Sequence, residues 1–489
     1  YLTSYKIRSL HVFWHNDTTI IIRDENPERK GMGAKQRIYT AGVLYYTVLK
    51  IRTDFRKGRQ EDVMERNDPR YQAYVEILKE ELIPAMGCTE PIALAYAAAK
   101  AREVLGVLPD SVQLQVSGSI IKNVKSVIVP NTGHLKGMEA AVAAGIIAGS
   151  AEKELEVISE VSEEKKSAIR DYLQTVPITI EHTEQGHVFD IVVTECCGQD
   201  YARVRIADYH TNICRIEKNG TVLYEVPLLD ETVQEDARAD RSLLNMQDIW
   251  DFAETVDLRD VADLLERQIR YNNAIAEEGL LGDYGANIGR VLLTTYGNDV
   301  SNRAKAKAAA GSDARMNGCE LPVIINSGSG NQGITCSVPL IEYAKELHSG
   351  KEKLYRALII SNLVAIHEKT GIGTLSAYCG AVSAGAGAGA GIVYLCGDGY
   401  QAAIHTVVNA LAIVSGIVCD GAKASCAAKI ASSVDAALLG YNMYKCNQEF
   451  KGGDGIVMKD IETTIKGIGR LGKDGMRQTN EEIIRLMMS

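Results

Sequence analysis

The sequence predicts an α+β protein in which a mixed middle region is followed by a mostly α-helical C-terminal half. Three observations carry this. Between residues 111 and 226 lie short runs (LQVSGSI, SVIVP, VPITIEHTE, HVFDIVVTE, ARVRIADYH, TVLYEV) rich in β-branched residues that alternate with polar ones or stand together, as strands do. From residue 244 to the end, long apolar segments of helical period are separated by glycine-rich joints. Residues 1–63 match neither pattern. They hold Trp14 and 12 Lys and Arg against 7 Asp and Glu, in a chain whose net charge is −10.

These breaks divide the chain into 1–63, 64–110, 111–240 and 241–489. The first segment reads as an upstream extension or a tag, with a separate domain as the alternative, because Met64 stands just before a clean helical pattern, RYQAYVEILKEELI. That pattern predicts a helix from Asp68 to about Ile83, stopped by Pro84. The loop AMGCTEP follows, with Thr89 as the expected N-cap of the next helix and Glu90 and Pro91 in its first turn. In 111–240, GMEAAVAAGIIAGS and the charged stretch 151–173 are helical between strands. An acidic connector, LLDETVQEDARADR, leads into the helical half.

The balance of 53 Lys and Arg against 63 Asp and Glu argues against a nucleic-acid partner. With 489 residues the chain can bury a large core, and eleven cysteines without a secretory signal fit a reducing, cytoplasmic setting. Residues 370–397 and 399–419 carry no Asp, Glu, Lys or Arg, a length that raises a membrane hairpin. The first stretch holds eight glycines, so the pair is expected as helices buried in a soluble core. Its GAGAGAG run, 385–391, reads as close helix packing. No strand precedes it and no GxGxxG fits it.

The chemistry concentrates in cysteines. Cys379, Cys419 and Cys426 lie among small residues that offer little else reactive. Three thiolates can hold three irons of a [4Fe-4S] cluster and leave the fourth open to substrate. A continuous helix would set Cys419 and Cys426 roughly 10 Å apart, so a break is needed, and Asp420-Gly421 supplies it. With a helix starting near Lys423, Cys426 falls in its first turn, where the positive helix end favours an anion. The alternative is that each cysteine is a small buried hydrophobe. Cys88, just before a helix, is expected to have a lowered pKa and to serve as base, nucleophile or ligand. Glu90 is either a second acid/base group or a complement to the helix dipole.

SGSGNQG follows the strand-like LPVIIN and presents successive N–H groups, a nest for a carboxylate. Its candidate substrate-binding residues are Ser327, Gly328, Ser329, Gly330, Asn331 and Gln332; Lys122, Asn131 and His134 are of second rank. His367-Glu368 lacks the second histidine of a zinc protease motif. Cys196, Cys197, Cys214, Cys319, Cys336, Cys396 and Cys446 show no metal spacing.

Four segments, PAMGCTEPIALAYAAA at 84–99, SGSGNQGI at 327–334, AYCGAVSAGAGAGAG at 377–391 and CDGAKASCAAKIASS at 419–433, carry a resemblance. From about Met64 onward the chain resembles the iron–sulfur L-cysteine desulfidases, relatives of the iron–sulfur L-serine dehydratases. The resemblance implies one [4Fe-4S] cluster on Cys379, Cys419 and Cys426, with Cys88 as the proton acceptor. It implies a serine dehydratase α-like helical domain and β-elimination from an L-amino acid. L-cysteine is the first candidate, giving hydrogen sulfide, pyruvate and ammonia. The serine dehydratases space the last two cysteines more widely and read CDP where this chain has CDG, so L-serine stays open as the alternative. The partners implied are a small amino-acid substrate and, as an option, further copies of the chain, without membrane or nucleic acid. Two rivals are a pyridoxal-phosphate eliminase, for which no lysine stands in a suitable setting, and a transport protein built on 370–419.

Overall fold

The computed structural model describes residues 4–7, 10–15, 19–24, 37–40, 64–183, 187–228, 238–373 and 375–488. The chain divides into two compact units, Tyr1–Val63 and Met64–Ser489. In the first, β1 (Ser4–Ile7), β2 (Leu10–His15), β3 (Thr19–Asp24) and β4 (Arg37–Thr40) form an antiparallel sheet in chain order. The reading of 1–63 as an extension falls largely outside the described residues.

The second unit opens with α1 (Pro69–Glu81), whose N-cap Asp68 accepts the Arg70 N–H at 2.8 Å. Its buried face includes Tyr71, Tyr74, Ile77 and Leu78, and Tyr71 and Tyr74 both make T-shaped contacts with the Phe252 ring. The helix ends with Leu82 as its C-cap, and β5 (Pro84–Met86) pairs antiparallel with β12 (Pro322–Ile324). This pairing brings the GCTEP loop beside the SGSGNQG loop. Then comes α2 (Thr89–Leu105), buried along nearly its whole length because it is built of alanines.

The mixed region forms one six-stranded sheet from β6 (Ser111–Ser117), β7 (Ile178–Thr183), β8 (Asp190–Cys197), β9 (Asp200–Ala207), β10 (Ile213–Lys218) and β11 (Thr221–Glu225). Their order is β11-β10-β9-β8-β6-β7, antiparallel except for β6 with β7. That parallel pair needs a crossover. It is supplied by α3 (Gly118–Val124), α4 (Gly137–Ala148) and α5 (Glu163–Thr175). Helix α2 packs on β8, β9 and α4, which gives the sheet its buried face.

Three local expectations change. SVIVP makes only an isolated bridge, Ile128 to Lys136, because α3 ends just before it and Pro130 closes it. ICRIEK becomes β10, a strand hidden in the sequence by its charges, which pair across the sheet edge as in Arg215 with Glu225. Part of the charged stretch, Ala151–Glu156, is a 3₁₀ turn, with Glu154 at φ 47°. Most of the acidic connector lies outside the described residues.

The rest is helical: α6 (Met246–Thr255), α7 (Ala262–Leu281), α8 (Ile288–Tyr296), α9 (Val300–Met316), α10 (Gly330–Glu346), α11 (Lys351–Ile372), α12 (Gly380–Cys396), α13 (Tyr400–Val414), α14 (Ser425–Lys445), α15 (Ile461–Arg470) and α16 (Arg477–Met488). Helix α12 is the axis, packed on by α10, α11, α13 and α14. Its glycines permit this. A Cβ on Gly387 would stand 2.4 Å from the Ser361 carbonyl oxygen, and one on Gly385 2.8 Å from the Ser433 backbone. The GAGAGAG run is therefore a packing surface, as its sequence context indicates. Among the described residues no helix is long and apolar enough to cross a membrane.

Candidate active site

Main-chain pairing places two of the three C-terminal cysteines. The segments before α12 and α14 meet as a short antiparallel bridge, Tyr378 with Val418. The Cys379 N–H donates to the Ile417 carbonyl at 3.1 Å and the Cys419 N–H to that of Ala377 at 2.6 Å. Cys379 is the N-cap of α12, and Cys426 lies in the first turn of α14. The helix starts at Ser425, close to the expected Lys423, and its N-cap is Ala424 rather than Asp420. Asp420 instead pairs with Lys423 and Lys429. Gly421 makes the break at φ +92°, where a Cβ would lie 2.1 Å from the Lys122 carbonyl oxygen.

The three thiols form one electrostatic group. Burial, then the neighbouring Cys419 and, more weakly, Cys426, push the Cys379 thiol up to about 12. Burial, followed among its weaker influences by Cys419, also raises Cys426. Cations surround them. Buried Lys122 reaches the Cys419 carbonyl at 3.4 Å and Asn480 Oδ1 at 2.6 Å, while Lys429 donates to the Val418 carbonyl at 2.9 Å. Burial lowers Lys369 to about 8, against the opposing pull of the Cys419 and Cys379 charges.

Among the described residues no three His, Cys, Asp or Glu are arranged around a single metal ion. An iron–sulfur cluster makes a different demand, since each thiolate takes its own iron and the inorganic core separates the ligands. Three thiols at or beside two helix N-termini, ringed by lysines, fit an anionic core of that kind. The donor set also lacks histidine and carboxylate, as soft thiolate chemistry prefers.

Cys88 forms the facing corner. It is the N-cap of α2 in place of the expected Thr89, and it packs with Val127 and Met316 in a small apolar cluster that Cys426 joins. Its Sγ donates to Glu90 Oε2 at 3.1 Å. The expected low pKa is not found. Burial and the Glu90 charge raise the thiol well above its ordinary value, against the Arg315 charge and a backbone hydrogen bond.

Glu90 behaves the other way. Burial pushes its carboxyl up, but His210, at 4.0 Å, and the Cys88 thiol bring it down to about 2. Asn123 Nδ2 donates to Glu90 Oε1 at 3.0 Å and Thr89 Oγ1 to Oε2 at 3.2 Å. Thr89 also donates to the Gly328 carbonyl at 3.0 Å, tying this corner to the SGSGNQG loop.

In that loop Ser327 and Gly328, at φ 48° and 75°, make a tight turn closed by reciprocal hydrogen bonds between Asn326 and Ser329. The Ser327 hydroxyl is occupied by Asn326 Oδ1 at 2.9 Å. What stays open is the first turn of α10: Gly330, Asn331 and Gln332. Gln332 lies against Gly380, one residue from Cys379, and its Oε1 has no hydrogen-bond partner. The structure thus gathers Cys88, Gly328–Gln332, Lys122 and the three C-terminal cysteines. Asn131 is absorbed in holding the Ile158 carbonyl at 2.8 Å, and His134 is exposed.

Asn123, His210 and Arg315 escaped the sequence reading. Asn123 stands next to Lys122 in SGSIIKN, and Arg315 is a charge inside an alanine-rich helix, a visible oddity. His210 gave no signal, because only the β9–β10 turn carries it to Glu90.

The sequence profile of the serine dehydratase alpha chain matches residues 152–485. A UPF0597 protein of Desulfitobacterium hafniense is 61% identical over 426 residues, covering 87% of this chain and 99% of that protein. One from Lachnoclostridium phytofermentans is 52% identical, covering 86% and 100%, and one from Treponema denticola 47%, covering 87% and 100%.

Proposed function

The chain belongs to the serine dehydratase alpha chain family, and from this and the site we propose that it is a cytoplasmic L-cysteine desulfidase. The reaction eliminates the β-sulfur of L-cysteine as hydrogen sulfide. The aminoacrylate left behind yields pyruvate and ammonia in water. One observation carries the reading: Cys426, one of three clustered thiols, packs against the apolar cluster that holds Cys88, whose Sγ donates to buried Glu90.

Cys379, Cys419 and Cys426 would hold a [4Fe-4S] cluster, which when bound supplies a Lewis acid for the departing sulfur at its open iron. The protein's own residues do the rest. Cys88 takes the Cα proton in its thiolate form, and Glu90, the hydrogen-bond acceptor of its thiol, orients the sulfur toward the substrate. Burial that makes the thiol hard to ionise also makes its thiolate a strong base. His210 and the Cys88 thiol keep Glu90 anionic and Asn123 donates to its Oε1, so Oε2 is left to accept from Cys88.

L-serine dehydration is the second reading, favoured by the description of the matching family. Anaerobic purification with iron and sulfide analysis, then sulfide and pyruvate release from L-cysteine and L-serine, tests both. Sulfide release with the higher kcat/KM for L-cysteine is expected. Pyruvate from L-serine without sulfide from L-cysteine would transfer the assignment.

A further inference from the structure

Arg315 closes α9 and is 2% exposed. Its Nε and Nη2 are buried without a hydrogen-bond partner, although a buried guanidinium is costly unless paired. Helix-end complementation alone would not leave both nitrogens unused. They lie beside the first residue of α10, where a Cβ on Gly330 would stand 2.3 Å from Nε and 2.8 Å from Cζ. That helix has 17 residues, and the N–H groups of its first turn have no acceptor within the helix. Arg315 also neighbours Cys88, whose thiol its charge favours in the ionised form, and Met316 packs directly against Cys88.

A forked cation and a helix N-terminus converging on one buried spot match a planar carboxylate. Resting on the amino-acid reading above, we propose that Arg315, with the first turn of α10, is the receptor for the substrate's α-carboxylate. It sets Cα within reach of Cys88. Glycine at 330 is required because any side chain there would occupy the place of the guanidinium. The substrate class follows: α-amino acids bind, and amines bearing the same β-substituent without a carboxylate do not.

The test uses the iron-loaded protein and L-alanine, which has the zwitterion but no leaving group, with ethylamine as the analogue lacking the carboxylate. L-alanine should compete with substrate in the native enzyme and ethylamine should not. In Arg315→Gln the inhibition constant of L-alanine should rise roughly 100-fold, the scale of losing a buried charged partner, with iron content unchanged. Arg315→Lys, which keeps the charge but loses the fork, should show a smaller rise of about 10-fold. Gly330→Ala should reproduce the loss by displacing the guanidinium, which covers the case in which Arg315→Gln does not fold. If all folded variants bind L-alanine as the native protein does, the receptor lies elsewhere and the amino-acid reading stands. If the native enzyme binds neither L-alanine nor L-cysteine, that reading falls with the proposal.

Discussion

The two corners of the site are built by different means. The C-terminal cysteines are positioned by backbone: a two-residue bridge, two helix starts and a left-handed glycine. Cys88 is governed by side chains from distant parts of the chain, with Asn123 and His210 from the sheet region and Arg315 from the helical half. A backbone-built site keeps its shape through most side-chain changes and is lost when a thiol goes or when the glycine that makes its break is replaced. A side-chain-built site can be retuned one partner at a time. Two buried carboxyls illustrate the second point. Glu90 has donors and falls to about 2, whereas Glu195, whose oxygens have no partner, is raised by burial to about 9.

The largest effect separates the corners outright. Cys379→Ser, Cys419→Ser and Cys426→Ser should each lose iron and all turnover, since a three-thiolate site has no spare ligand. Full iron content in any of them, purified anaerobically, would remove that residue from the ligand set. Cys88→Ser should keep its iron while turnover falls roughly 100-fold or more, as for loss of a general base. Iron loss there would merge the two corners into one ligand set.

Glu90→Gln is expected to lower kcat about 10-fold with iron and KM little changed, because the thiol proton loses its anionic acceptor. An unaltered kcat would reduce Glu90 to a helix-dipole partner. Gly421→Ala tests the backbone corner. A side chain at φ +92° against the Lys122 carbonyl should cost about 2 kcal/mol of stability and weaken iron retention. Equal thermal midpoints for the two proteins would show that the break tolerates a Cβ.

The smallest effect concerns Glu195. Its folded carboxyl stays protonated to about pH 9 while the unfolded one ionises near 4.5, so the folded state holds more protons between those values. Its contribution to stability therefore falls as pH rises from about 4.5 to 9. Glu195→Gln should flatten that slope and raise the thermal midpoint by about 1–3 °C at pH 8, with no gain near pH 4. A slope identical to the native one would mean that Glu195 is already ionised when folded.

What the sequence determined by itself was whatever depends on neighbours along the chain. The strands of the sheet follow from β-branched alternation, the α12 axis from its glycines, and the placement of Cys426 in a first helical turn from Asp420-Gly421. It also singled out Cys88, Cys379, Cys419 and Cys426, because thiols in small-residue loops stand out chemically. Local pattern failed where the deciding partner was remote. β10 is a strand because β9 and β11 flank it, despite its charges. A helix end alone predicts a lowered Cys88 pKa, and tertiary burial with an adjacent carboxylate reverses the direction. Only folding brings His210 to Glu90 and Arg315 to Gly330. Charge–charge energies depend on distance and local dielectric, and both are set by the packed structure rather than by separation along the chain.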